Sequence, residues 1–451
     1  MSTSFLPDWP LSPPPLLWFA LTLVAAAVIG EFVFHRLRLP RISGYVLAGL
    51  VAGGLGGGEI VRATLMTGSG WASIVVELAL GVLLFELGNR VNLRWLRANP
   101  WLLATSVLEA ALSFGAVYLV LRAAQVPLDE ALLVAAIAMA TAPAIVMRVV
   151  AETRAQGQVS DRLLMLAALN SIYTVFAVQF IMGWLHQSYR GDVVSAVLHP
   201  LYLTAGAVLA GALIAWLMRA LRSNLLLDDE YAGAVLIGLV LAAVLLLKLL
   251  KLPVLLALLL AGLLVRRLSG RPYVWPKGLA AVTGLLMLML FVLTGVSVDV
   301  SHLVAGGLTA LLLIGVRLVA KTSAVLLLAR QSGISWRQGT ALGVALTPMS
   351  GVAFVLTFDL IAVFPELAPR LAATVLAMIA ILELLGPIAV RWLLDWSDET
   401  PEHMRGPGSG PPPPTVRTAP PPASATMPPQ PVPRATADPG AQRTDAPASI
   451  R

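Results

Sequence analysis

Two long apolar stretches of this chain are interrupted by proline: Thr141-Ala142-Pro143 breaks one, and Thr347-Pro348-Met349-Ser350-Gly351 breaks another in the second half. Proline removes a backbone donor and its ring clashes with the preceding turn, so neither stretch can run as one continuous helix. Hydrocarbon offers no water to the backbone groups freed by such a break, which survives only where protein or a water-filled cavity surrounds it. Both breaks must therefore lie inside a bundle. The setting is a bilayer, because 58% of the 451 residues are hydrophobic and only 12% are charged, where soluble domains carry about 25% charged residues.

With roughly 20 apolar residues needed per crossing, the expected fold class is an all-α polytopic membrane protein. We count about thirteen spans: 16–34, 39–56, 72–89, 100–121, 129–149, 161–184, 195–218, 231–248, 253–266, 279–297, 302–329, 337–360 and 371–394. The domain reading is a short external N-terminal segment over 1–15, a transmembrane domain over 16–395, and a Pro-rich cytoplasmic tail over 396–451. The tail stretch GPGSGPPPPTVRTAPPPASATMPPQPVP has almost no large apolar side chains and is expected to be disordered.

Lysine and arginine are retained on the cytoplasmic side of a membrane. Alternate loops are basic here, with Arg36, Arg38 and Arg41 in one, Arg90, Arg94 and Arg97 in another, and Arg266, Arg267, Arg271 and Lys277 in a third. The N-terminus is thus expected outside and the C-terminus inside. The same residues account for the net charge of +7 without nucleic acid as a partner. The absence of cysteine excludes thiol chemistry and disulfides. The histidines lack metal-ligand spacing, and no strand with a GxGxxG turn is present, so no cofactor and no metal are expected. The Gly-rich VAGGLGGGEI at 51–60 lacks the Lys-Ser/Thr ending of a phosphate loop and reads as close helix packing with a short external turn. No nucleophile and base constellation is visible, so an enzyme is not expected. Paired broken helices in the two halves of a membrane protein point instead to a substrate site near the midplane, and hence to a secondary transporter.

Six segments in order resemble the monovalent cation:proton antiporter superfamily, in particular its bacterial type-2 branch of sodium/hydrogen exchanger-like membrane domains. They are LPRISGYVLAGLVAG at 39–53, ELALGVLLFELGNRVNLRWL at 77–96, TAPAIVMRVVAETRAQG at 141–157, LLMLAALNSIYTVFAV at 163–178, VRLVAKTSAVLLLAR at 316–330 and GVALTPMSGVAFVL at 343–356. The resemblance implies an inverted-repeat antiporter fold with two crossed broken helices, commonly a homodimer in the bacterial inner membrane. It further implies a monovalent cation, sodium or potassium, exchanged for protons at an acidic pair on the span after the first break. This chain departs from that pattern: Asn170-Ser171 stands where the family has Asn-Asp or Asp-Asp, Ala142 where the first break often carries a polar or acidic residue, and Gly351-Val352 where the second often has Gly-Glu.

An alkali cation stripped of water needs several oxygen ligands, preferably with a formal negative charge. Thr141, Asn170, Ser171, Thr174, Thr347 and Ser350, with Pro143 shaping the first break, are the expected lining. None of them carries charge or titrates near neutrality. Four acids are the candidates for a carboxylate inside the core. Glu77 and Glu86 stand nine positions apart, which at about 100° per residue puts them on opposite faces. Glu86 precedes Arg90 by one turn, where an ion pair is an alternative account. Glu109 lies deep in its span, and Glu383 is midway along the last one, beside Gly386-Pro387. Glu109 and Glu86 rank first as substitute proton carriers. Arg317 and Lys321 share one helix face in mid-span, where each is unfavourable by roughly 2.5–3.5 kcal/mol. Their compensation is expected from the crossing: Glu109, a carbonyl end of a broken helix, or a bound anion. Two other functions stay open on these residues, an anion or organic-anion carrier on the same fold and a non-transporting membrane scaffold or sensor.

Overall fold

The computed structural model describes residues 15–66, 70–190, 193–224, 229–269, 279–298, 300–364 and 368–401. Helices supply all the regular structure among them. The first half contains α1 (Pro15–Arg36), α2 (Arg41–Ala52), α3 (Gly58–Met66), α4 (Trp71–Arg90), α5 (Leu93–Ala98), α6 (Pro100–Ala123), α7 (Leu128–Ile137), α8 (Pro143–Thr153) and α9 (Gln158–Arg190). The second half contains α10 (Val193–Asn224), α11 (Asp229–Leu249), α12 (Val254–Ser269), α13 (Leu279–Ser297), α14 (Val300–Leu327), α15 (Trp336–Ala345), α16 (Gly351–Val363) and α17 (Ala368–Trp396). Eight helices among the described residues are long and apolar enough to cross a bilayer, and the shorter apolar helices Arg41–Leu55, Gly233–Leu249 and Gly351–Val363 add to them. The predicted spans 129–149 and 337–360 are each divided, into α7 with α8 and into α15 with α16. Outward faces such as Leu21, Val24, Val28 and Phe32 of α1 are exposed and apolar, as a lipid-facing surface requires.

Packing sorts the helices into two groups. In one, α2 lies against α1 and α13, and α4 against α11, α12 and α13, with α10 on α12. In the other, α14 lies against α6, α15 and α17, and α8 joins α9 and α17. Small residues let backbones touch where the first group is tightest. A Cβ on Gly49 would stand 2.6 Å from the Val292 carbonyl oxygen, and one on Gly295 would stand 2.7 Å from that of Val46, so α2 and α13 meet backbone to backbone. The Gly-rich stretch 51–60 continues this contact but is not the short external turn expected from sequence. Gly53–Gly57 forms a π-helical segment that runs on into α3. The wider winding keeps the chain helical while Gly53, whose Cβ would lie 2.6 Å from the Val296 carbonyl oxygen, presses against α13.

Beyond α17 the chain folds back on the membrane domain. Glu399, 4% exposed, accepts hydrogen bonds from the backbone N–H groups of Val159 (2.6 Å) and Ser160 (2.7 Å) and from the Ser160 hydroxyl (2.6 Å). Its carbonyl oxygen accepts from the Gln156 N–H at 3.0 Å. A carboxylate thus caps the first turn of α9, where the helix dipole favours negative charge. Glu399, in the segment read as tail, therefore has fixed partners, while 402–451 and the N-terminal 1–14 lie outside the described residues.

Candidate functional site: the crossing of two broken helices

The breaks at 138–142 and 346–350 touch. The Ala142 N–H donates to the Pro348 carbonyl oxygen at 2.8 Å, and the Thr141 hydroxyl donates to the Leu346 carbonyl oxygen at 2.8 Å. Each break satisfies backbone groups that the other has freed, which is how irregular backbone persists at membrane depth. Pro143 opens α8, where its missing N–H costs nothing, and Ser350 precedes the first residue of α16.

Arg317 and Lys321 of α14 reach this crossing, and both are fully buried. The Arg317 guanidinium donates to the carbonyl oxygens of Ala138 (2.7 Å) and Ala140 (2.7 Å) at the first break and to that of Thr347 (3.0 Å) at the second. These carbonyls end the first halves of both broken helices, so one planar, permanently charged fork neutralises two negative helix ends. The Lys321 ammonium forms an ion pair with Glu109 of α6, which is also fully buried. Lys321 Nζ donates in addition to the Met139 carbonyl oxygen at 3.2 Å and to the Thr141 hydroxyl at 3.4 Å. Asn170 completes the network from α9, its side-chain amide donating to the Thr141 hydroxyl at 3.0 Å.

The structure thus brings together Thr141, Asn170, Thr347, Arg317, Lys321 and Glu109. Ser171 turns its hydroxyl to its own helix, donating to the Ala167 carbonyl oxygen at 2.9 Å. Thr174 is buried one turn further along α9, with no hydrogen-bond partner for its hydroxyl among the described residues. The oxygens Glu109 Oε2, Asn170 Oδ1, Thr347 Oγ1 and Ser350 Oγ are likewise buried and without partners among the described residues. Glu86 does not join the crossing. It pairs with Arg90 at 2.6 Å near the end of α4, with partial exposure of both side chains. Its remote placement follows from the pitch of α4, which aims it away from the buried side, whereas Glu77 is 8% exposed.

Among the described residues, two of the cavities lie between the helix groups. One, of about 570 Å³, opens where α4, α5 and α12 face α9, and Asn89, Trp95, Asp161, Leu164, Met165 and Arg266 line it. The other, of about 40 Å³, lies where α4 faces α16, lined by Ser73, Glu77, Phe354, Phe358 and Asp359 among others. Beside it Lys248 of α11 donates to Glu77 at 2.5 Å and to the Ser73 hydroxyl at 3.1 Å. Asp359 and Lys248 stand outside the candidates named from the sequence. The available signal was an isolated acid inside the apolar run VAFVLTFDLIAVF.

Residues 21–396 match the profile of the family described as "Sodium/hydrogen exchanger, transmembrane". The chain belongs to the sodium/hydrogen exchanger family. Among solved structures, the sodium proton antiporter MjNhaP1 from Methanocaldococcus jannaschii has the same fold, with a TM-score of 0.63 and 17% identity over 85% of this chain and 96% of that one. No match was found among curated proteins. Within this exchanger family member, the span after the first break carries Asn170-Ser171, and the carboxylate that meets the buried lysine comes from α6 instead.

Proposed function

We propose that this exchanger-family protein is a secondary active antiporter that carries sodium or potassium against protons through an atypical site, with Glu109 and Lys321 as the exchanging pair. The observation that carries this reading is the fully buried ion pair between those two residues at the crossing of the broken helices. A monovalent cation arriving at Glu109 competes with the Lys321 ammonium for one carboxylate. The displaced ammonium, left in a low dielectric without a counter-charge, gives up its proton; reprotonation restores the pair and expels the cation. Thr141, Asn170 and Thr347 supply neutral oxygens around this exchange, and Arg317 holds the two breaks in place throughout. Glu86, already paired outside the crossing, is given no part in it.

The unequal cavities support an inward-facing state, since the larger one lies beside the basic ends of α4 and α12. We place the protein in a bacterial inner membrane as a homodimer, N-terminus outside and C-terminus in the cytoplasm, from the distribution of Arg and Lys and the family membership. The anion-carrier reading loses support from the committed state of the positive groups: Arg317 spends its donors on three carbonyls and Lys321 is paired. Reconstitution in liposomes with a trapped pH dye tests the proposal. Addition of sodium or potassium is expected to move protons in the wild type and to move none in Glu109→Gln. Silence of the wild type toward sodium, potassium and lithium, or a fully active Glu109→Gln, overturns it.

A further inference from the structure

Glu383 lies midway along α17 and is 0% exposed. Neither of its carboxylate oxygens makes a hydrogen bond of ordinary geometry, and no Lys or Arg pairs with it, among the described residues. Its polar neighbours are the hydroxyl groups of Ser350, at the second break, and Thr294, on α13. Ser350, itself 1% exposed, has a hydroxyl without a hydrogen-bond partner among the described residues.

The orientation of this carboxyl group is set by close packing. A Cβ on Gly386 would lie 2.8 Å from Pro348 Cβ and 3.0 Å from Pro348 Cγ, so α17 rests directly on the second break. Glu383 precedes Gly386 by one turn and shares its helix face. The carboxyl therefore points at the interrupted backbone, not at lipid. Thr294 comes from the other helix group, and the three oxygen-bearing side chains straddle the boundary between the two groups.

An acid in the hydrocarbon region is costly, and where it occurs it faces the bundle interior and marks an ion pathway. Glu109 spends its charge on Lys321, whereas Glu383 has no such commitment. A dehydrated alkali cation asks for a carboxylate together with several neutral oxygens, which is the set assembled here. We propose that Glu383, Ser350 and Thr294 form a second subsite, at the second break, that binds a monovalent cation. The choice of cation as ligand rests on the exchange reading above, and the test separates the two.

The test is thermal unfolding of the purified full-length protein in detergent, in sodium, potassium or lithium chloride against choline chloride at equal ionic strength. The wild type is expected to gain several degrees in at least one alkali salt, because a ligand that binds only the folded state stabilises it. Glu383→Gln keeps the shape of the side chain and removes its charge; it is expected to lose the part of that gain due to the second subsite, while Glu59→Gln, at an exposed position, keeps all of it. Where Glu383→Gln does not fold, Ser350→Ala and Thr294→Val serve, and each is expected to raise the half-saturating cation concentration at least tenfold. A purely structural Glu383 predicts an unchanged gain in Glu383→Gln, and that result overturns the subsite. So does an absent gain in the wild type with all three cations, or unchanged half-saturation in both hydroxyl variants. Proton flux that persists beside a Glu383-independent gain refutes the subsite and leaves antiport standing. A Glu383-dependent gain without proton flux does the reverse.

Discussion

The pair formed by Lys321 and Glu109 sets the energetics of the crossing. Two charges withdrawn from water gain little net stability from each other, but removing one of them strands its partner and costs about 3–5 kcal/mol. Glu109→Gln is therefore expected to unfold at markedly lower temperature than the wild type, and the double variant Glu109→Gln with Lys321→Gln to recover most of the loss. A double-mutant cycle by thermal unfolding in detergent measures the coupling; simple addition of the two single effects contradicts a direct pair. These residues were conspicuous in the sequence, since a lysine, an arginine and a glutamate in the middle of apolar runs each demand compensation. Their pairing was not, because 212 positions separate Glu109 from Lys321 and the sequence left a carbonyl end or an anion as equal alternatives. The same holds for Lys248 with Glu77, whose contact spans 171 positions. Each residue alone resembles an ordinary charge at a span end.

At the scale of elements, the two breaks depend on side chains brought in by neighbouring helices. Arg317 serves both of them, and a lysine in its place keeps the charge but loses the planar fork. Hydrogen bonds from charged groups contribute about 1.5–3 kcal/mol each, so Arg317→Lys is expected to destabilise the protein by at least about 2 kcal/mol, read as a lower unfolding temperature and faster proteolysis. A stability equal to the wild type would mean that the carbonyl ends need no such clasp. Gly386 is the second dependence. Gly386→Val drives a branched side chain into Pro348, and overpacking of this kind costs about 1–3 kcal/mol; circular dichroism melts of the variant check the value. The breaks were readable from Thr-Ala-Pro and Thr-Pro-Met-Ser-Gly because proline acts locally, through its own ring and missing donor. The winding at Gly53–Gly57 was not, since a run of glycines fits a turn as well as a helix and the choice was made by the backbone of α13.

At the scale of the whole molecule, the absence of cysteine makes any introduced thiol a unique reporter. Asn92→Cys, beside the larger cavity, is expected to react with a membrane-impermeant maleimide only from the cytoplasmic face, and Glu59→Cys, at the start of α3, only from outside. The reverse pattern inverts the proposed orientation. Helical class and broken spans were legible because hydropathy and proline report on the chain directly. The return of residues 397–400 onto the membrane domain was hidden by a composition that shades into the proline-rich tail, where the carboxylate of Glu399 carries no local signature of its distant partner. That carboxylate has a mechanical meaning. Because it grips the opening turn of α9, the segment that follows α17 is latched to the same helix that bears Asn170. Arg337 of α15 fastens the same stretch through Asp398 and the Trp396 carbonyl oxygen, so the link between α9 and the end of α17 is held at more than one point.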